Sequence, residues 1–166
     1  MLLAFTPSRG FSAESNYRLG VGDTVAIKVF DEPDLSITTR LGDSTAISYP
    51  LLGEIQVKNM TVRQLEEFIS SRLRDDYLVN PRVRVSIEEY RKFYVKGEVK
   101  APGGYPYSPE LTLDRVISLA GGFTNRANKS RILILSEQSK SKKPRSASLD
   151  SRIQPGDVIT VQRRFF

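Results

Sequence analysis

Cysteine and histidine are both missing from this 166-residue chain. Without cysteine there is no disulfide and no thiol chemistry, which suits a reducing or an oxidising compartment equally. Without histidine, Ser-His and Cys-His catalysis, the usual zinc sites and haem ligation through imidazole are excluded. Catalysis by paired carboxylates or by lysine stays formally open, but nothing in the sequence pairs any two carboxylates across a cleft. The expectation is a non-enzymatic protein with no catalytic, cofactor-binding or metal-ligating residue. Long apolar runs are lacking too, since no stretch approaches the ~20 residues that a membrane-spanning helix requires.

A short phrase recurs near the two ends: Gly22-Asp23-Thr24-Val25-Ala26-Ile27 and Gly156-Asp157-Val158-Ile159-Thr160-Val161. Each Gly-Asp turn opens a strand, and Val25/Ile27 align with Ile159/Val161 at the period-2 spacing that buries one face. Asp23 and Asp157 are expected to cap backbone amides, because aspartate bonds its own following amides in such turns. Units of roughly 70 residues bury only about 60% of their unfolded surface, so small β-rich modules gain by association.

Between the two phrases the pattern alternates strands with two helices. Strands are expected at Val25–Val29, Ile47–Pro50, Glu54–Val57, Arg82–Glu88, Phe93–Val99, Ile132–Leu135 and Val158–Gln162. Thr61 and Gln64 match a capping box ahead of the stripe Val62, Leu65, Ile69 and Leu73, with Arg63, Glu66, Glu67 and Arg74 as solvated charge. Thr112 can cap a second helix with the stripe Leu113, Val116, Ile117 and Ala120, ended by Gly121-Gly122. Ala101–Tyr105 reads as a turn. The fold class is α+β, with a first module over residues 14–89 and a second over 90–166.

The net charge is +6, with a pI near 9.6, which favours anionic partners. Lys140, Lys142, Lys143 and Arg145 fall in the serine-rich stretch Ser136–Ser151, which reads as a solvated, mobile loop. Met1-Leu2-Leu3-Ala4-Phe5 and Gly10-Phe11-Ser12-Ala13 look like the end of an apolar leader and a small-residue cleavage site. Residues 1–13 are therefore expected to be the remnant of a secretory signal.

Tyr17-Arg18-Leu19-Gly20-Val21-Gly22-Asp23, Ile27–Phe30, Glu32-Pro33-Asp34-Leu35-Ser36, Gly53-Glu54-Ile55-Gln56-Val57 and Asn80-Pro81-Arg82-Val83-Arg84-Val85 follow one another along the chain. Together with the Thr61–Leu73 helix they resemble the polysaccharide-export domain of outer-membrane polysaccharide export proteins. Val95-Lys96-Gly97-Glu98-Val99-Lys100-Ala101-Pro102-Gly103-Gly104-Tyr105 and Ala120-Gly121-Gly122-Phe123-Thr124 resemble the start of an SLBB domain, a β-grasp module. Pro155-Gly156-Asp157-Val158-Ile159 is similar to that module's closing strand.

The resemblance implies a periplasmic or outer-membrane-associated component of capsule or exopolysaccharide secretion that forms or caps a translocation conduit. It implies a homo-oligomer whose cargo is polysaccharide. Long members carry an acylated N-terminal cysteine, further SLBB-like modules and a C-terminal membrane helix. This sequence shows none of these, and so is expected to be a short periplasmic member served by a separate outer-membrane porin and an inner-membrane polysaccharide co-polymerase. The alternative is a soluble periplasmic glycan- or ligand-binding adaptor that forms no conduit. A nucleic-acid partner is not expected, because that reading rests on pI alone.

Candidate glycan contacts are Arg82 and Arg84, which share one strand face, with Lys96 and Lys100, the competing role of all four being solubility. Tyr90, Phe93, Tyr94, Tyr105 and Tyr107 form the densest aromatic group, and Tyr105 and Tyr107, beside Gly103, Gly104 and Pro106, are its surface candidates. Arg163, Arg164, Phe165 and Phe166 are a candidate docking patch or membrane-surface contact, or else a frayed tail.

Overall fold

Strict alternation of buried and open side chains runs through β1 (Thr24–Val29), where Val25, Ile27 and Val29 are buried. The computed structural model describes residues 16–139 and 141–164, so the signal-remnant reading, Lys140 and the Phe165/Phe166 pair lie outside the described residues. The chain divides into two units: the first ends at Ile87, and the second takes Glu88 onward together with the Gly22–Thr24 turn. The class is α+β.

In the first unit, β1 is the middle strand of a three-stranded sheet, flanked by β2 (Ile37–Arg40) and β5 (Val83–Glu89). Between β2 and β5 come a hairpin of β3 (Ala46–Tyr49) and β4 (Gly53–Gln56), then helix α1 (Val62–Asp76). Both halves of the Thr61/Gln64 capping box are formed, and Leu65, Ile69 and Leu73 are buried. Glu66, expected to be solvated, instead accepts the Val85 N–H at 3.0 Å. A half-buried acceptor thereby satisfies a backbone donor of β5 that would otherwise be costly to leave unpaired.

Tyr49 is 2% exposed and donates its phenol to the Leu35 carbonyl at 2.7 Å. Burial pushes its pKa up to about 12 from the ordinary 10.0. The neutral phenol therefore contributes stability that is complete below pH ~10 and is lost as pH rises through the native value. At about 1.4 kcal/mol per unit, the two-unit difference amounts to roughly 3 kcal/mol at most. Tyr49→Phe should lose about 1 kcal/mol at neutral pH through the missing hydrogen bond, and its first unit should show a shallower loss of stability above pH ~10 than the parent. Urea unfolding across pH 8–11 checks this, and parallel curves for the two proteins would refute it.

In the second unit, β6 (Phe93–Gly97), β7 (Gly103–Tyr105), β8 (Ala127–Leu135), β9 (Arg145–Ala147) and β10 (Val158–Arg163) form one sheet in the order β7-β6-β10-β8-β9. β10 runs parallel to β6 and antiparallel to β8. Helix α2 (Leu113–Leu119) contributes Leu113, Val116 and Ile117 to a core that also holds Phe93, Val95, Ile132, Ile134, Ile159 and Val161. Thr112 sits at the N-cap position, but its side chain makes no capping hydrogen bond.

Three strand expectations are corrected. The strand from Phe93 ends at Gly97 and not Val99, because Gly97 turns the backbone to a φ of 88°. The 101–105 turn ends in a strand, since Gly103–Tyr105 pair antiparallel with Phe93–Val95. The 136–151 loop is partly ordered, as Arg145–Ala147 add an edge strand to Ile132–Ile134.

Candidate functional site

In the first unit, Arg82 and Arg84 are both exposed, as a half-exposed alternating strand requires. Arg82 does not project freely: its Nη2 lies 2.6 Å from Asp31 Oδ2 and its guanidinium sits 5.4 Å from the Phe30 ring centre. Lys28 Nζ is 5.2 Å from the same ring. Phe30, part of the Ile27–Phe30 phrase but not among the site candidates, thus carries two cations, each such contact worth about 0.5–1 kcal/mol at an open site.

In the second unit, Lys96 and Lys100 are exposed but separate. Lys96 lies on the sheet face away from the core, whereas Lys100 stands beside Gly121 and donates its N–H to the Gly122 carbonyl at 3.0 Å. Tyr105 and Tyr107 are half-buried and pack against the core. The Tyr105 ring stacks on Phe93 at 5.9 Å, and the Tyr107 ring meets Tyr90 edge-on at 5.2 Å. Burial, with Asp157 nearby, pushes the Tyr107 phenol up. The open ring of the aromatic group is Tyr94, 52% exposed. Arg163 and Arg164 are exposed, and Arg164 donates its N–H to the Arg126 carbonyl at 2.8 Å.

The most tightly organised polar group centres on Arg91, which sequence reasoning missed. Arg91 Nη1 lies 3.0 Å from Asp23 Oδ2, its main-chain N–H donates to Asp23 Oδ1 at 2.8 Å, and its Nε lies 2.9 Å from Glu137 Oε2. Asp23 is fully buried and Arg91 is 9% exposed. Both Gly-Asp turns converge here. A Cβ on Gly22 would come 3.2 Å from Arg91 Cβ, and one on Gly156 would come 2.8 Å from Arg91 Nε.

The two aspartates differ in role. Asp157 closes its own turn by accepting the Gln154 N–H at 2.9 Å, an amide three residues before it and not a following one as the sequence suggested. Asp23 holds a cation 68 residues away, a role that a local turn pattern does not encode. Burial raises the Asp157 carboxyl above the usual range, opposed by the Gln154 hydrogen bond and by Ser136, Arg145 and Arg91. The recurrence of Gly-Asp was the one signal that could have led to Arg91.

A buried arginine held between two carboxylates is a structural clasp, with Asp23 as its buried partner and Glu137 as its exposed one. Among the described residues no group of three or more Asp or Glu side chains is arranged to hold a metal ion, and no helix is long and apolar enough to cross a membrane.

Residues 12–88 match the family model for polysaccharide biosynthesis/export proteins, and residues 92–140 match that for the SLBB domain. The chain is 31% identical, over 78% of its length, to the exopolysaccharide production protein ExoF of Rhizobium meliloti (strain 1021), covering 34% of that protein. It is 27% identical, over 89% of its length, to the EPS I polysaccharide export outer membrane protein EpsA of Ralstonia nicotianae (strain ATCC BAA-1114 / GMI1000), covering 48% of it. The chain thus spans between a third and a half of the length of these curated relatives. With both modules matched in succession, in the order that the residue phrases indicated, the chain belongs to the outer-membrane polysaccharide export family.

Proposed function

We propose that this chain is a structural component of a polysaccharide export route, forming or capping a conduit through the periplasm towards the outer membrane, with residues 14–89 and 90–166 as its two modules. The carrying observation is the succession of an export module and an SLBB module along one chain. Two relatives named for exopolysaccharide production and for outer-membrane export support the placement. The chain works by association: among the described residues β7 and β9 are edge strands of the second sheet and β2 of the first, and strand edges of this kind can pair with neighbouring copies. Its partners in this reading are polysaccharide, further copies of itself, an inner-membrane co-polymerase and a separate outer-membrane porin, and it performs no bond chemistry.

The test is the solution mass of the chain by light scattering across protein concentration, with and without detergent. It is paired with secreted polysaccharide in a strain lacking the chain. A discrete, concentration-stable multimer and loss of secretion are the expected results. A monomer under every condition, with secretion unchanged, would overturn the reading.

A further inference from the structure

The five-stranded sheet of the second unit has helix α2 contributing to its core on one side, and its opposite face is open enough to be read residue by residue from the register. Tyr94 pairs with Gly104 on one side and Val158 on the other, and Val158 pairs with Leu135. Paired residues point to the same face, so Gly104, Tyr94, Val158 and Leu135 form one row across four strands. Lys96, Thr160, Leu133 and Ser146 form the next. Every buried strand residue between them (Phe93, Val95, Ile132, Ile134, Ile159, Val161) faces the core instead.

Two features distinguish this face from an ordinary solvated sheet. First, the Tyr94 ring lies over Gly104: a Cβ there would come 2.8 Å from Tyr94 Cε1 and 3.1 Å from Cδ1. The missing side chain lets the ring rest against the edge strand while 52% of the residue stays open. A large ring held at the surface, with one polar hydroxyl at its rim, is an amphipathic platform. Second, the row ends in a cavity of about 280 Å³ lined by Leu135, Ser136, Glu137, Lys142, Gly156 and Val158. That volume is close to the lower bound for small-molecule sites, room for one sugar unit and not for a peptide segment. Glu137 shares Arg91 with the buried Asp23, and Lys142, exposed and with no ion pair among the described residues, is the cation in the cavity lining. Lys96, two residues further along β6 and on the same exposed face, supplies a second cation.

We infer that this face is a glycan subsite for an acidic polysaccharide, with Tyr94 stacking against a sugar ring and Lys142 and Lys96 meeting its carboxylates. The inference rests on the export reading and adds to it the residues that touch the cargo and the charge class of that cargo. It moves the aromatic contact from Tyr105 and Tyr107 to Tyr94, and of the four basic candidates it uses Lys96 alone.

The probe is a set of polygalacturonate oligomers, with dextran as the neutral control, titrated calorimetrically into the whole chain. Saturable binding of the acidic oligomers is expected, weaker in high salt and absent for dextran. Tyr94→Ala should weaken it at least about tenfold, as truncation of an aromatic anchor does, while Tyr94→Phe should stay within roughly threefold. Gly104→Ala, which displaces the ring without removing it, should weaken binding as well. Lys142→Gln should reduce affinity and flatten the salt dependence, and Lys100→Gln, away from the face, should change neither. Circular dichroism on each variant separates loss of binding from loss of fold.

Absence of saturable binding to the parent chain would overturn the inference. So would equal losses for Tyr94→Ala and Lys100→Gln, or a Tyr94→Ala variant that binds normally but loses its multimer, which would give the face to a second copy. Failure here with an intact multimer and impaired secretion in the deletion strain would leave the export reading standing. Ring-dependent binding by a monomer would do the reverse.

Discussion

Replacing Arg91 with alanine is expected to destabilise the second unit by about 3–5 kcal/mol, the range found when one partner of a buried ion pair is removed. Asp23 is fully exposed to this loss, because its carboxylate has no solvent contact and both its oxygens receive Arg91 donors. The main-chain N–H of residue 91 would remain, but the compensating charge would not. The companion variant separates charge from packing. Arg91→Met combined with Asp23→Asn removes both charges and keeps an acceptor for the backbone donor, so it should lie well above Arg91→Ala in stability, since a buried pair replaced as a pair is often close to neutral. Urea unfolding of the whole chain, followed separately for the two units, measures both. A cost below about 1 kcal/mol for Arg91→Ala would show that Asp23 does not depend on this cation.

The second large effect is expected at Gly97, where alanine should cost roughly 2–4 kcal/mol. Its backbone has a φ of 88°, which adds about 1–2 kcal/mol for a residue with a Cβ. That Cβ would also collide with the Val161 carbonyl oxygen, a backbone atom with no rotamer into which to escape. Relief requires β6 and β10 to separate at the point where Glu98 N–H donates to that oxygen at 3.0 Å, and strain of this kind costs a further ~1–3 kcal/mol. Gly104→Ala is the matched control. There the obstacle is a tyrosine ring that can swing away, so its stability should fall by less than about 1 kcal/mol. Comparable losses at the two glycines would refute the distinction.

Much of the fold was legible because its elements follow local rules. Alternation marked β1, β5 and β10, and the Thr61/Gln64 box marked the start of α1. The edge strands were not legible. Gly103-Gly104 reads as a turn by composition, and Arg145–Ala147 sits in a polar stretch. Both become strands because Phe93–Val95 and Ile132–Ile134 offer unpaired ladders beside them. Register explains the site as well. Tyr94 and Tyr105 are equally aromatic, and only the pairing of Phe93 with Tyr105 and of Tyr94 with Gly104 decides which ring is stacked inward and which lies open. Arg91 was invisible for the same reason: its partners are 68 residues before it and, in Glu137, far behind it.

The strand order carries a consequence for how the second unit is made. β10 is the last of its strands along the chain, yet it lies between β6 and β8. Until Val158–Arg163 emerge, β6 and β8 each present an unsatisfied edge, and the nascent module can hold only the β6-β7 and β8-β9 hairpins. Closure is then a late, long-range event, slow for its size and exposed to mispairing with other unfolded copies. A chain that has delivered everything up to residue 157 would hold two adhesive hairpins in place of a domain.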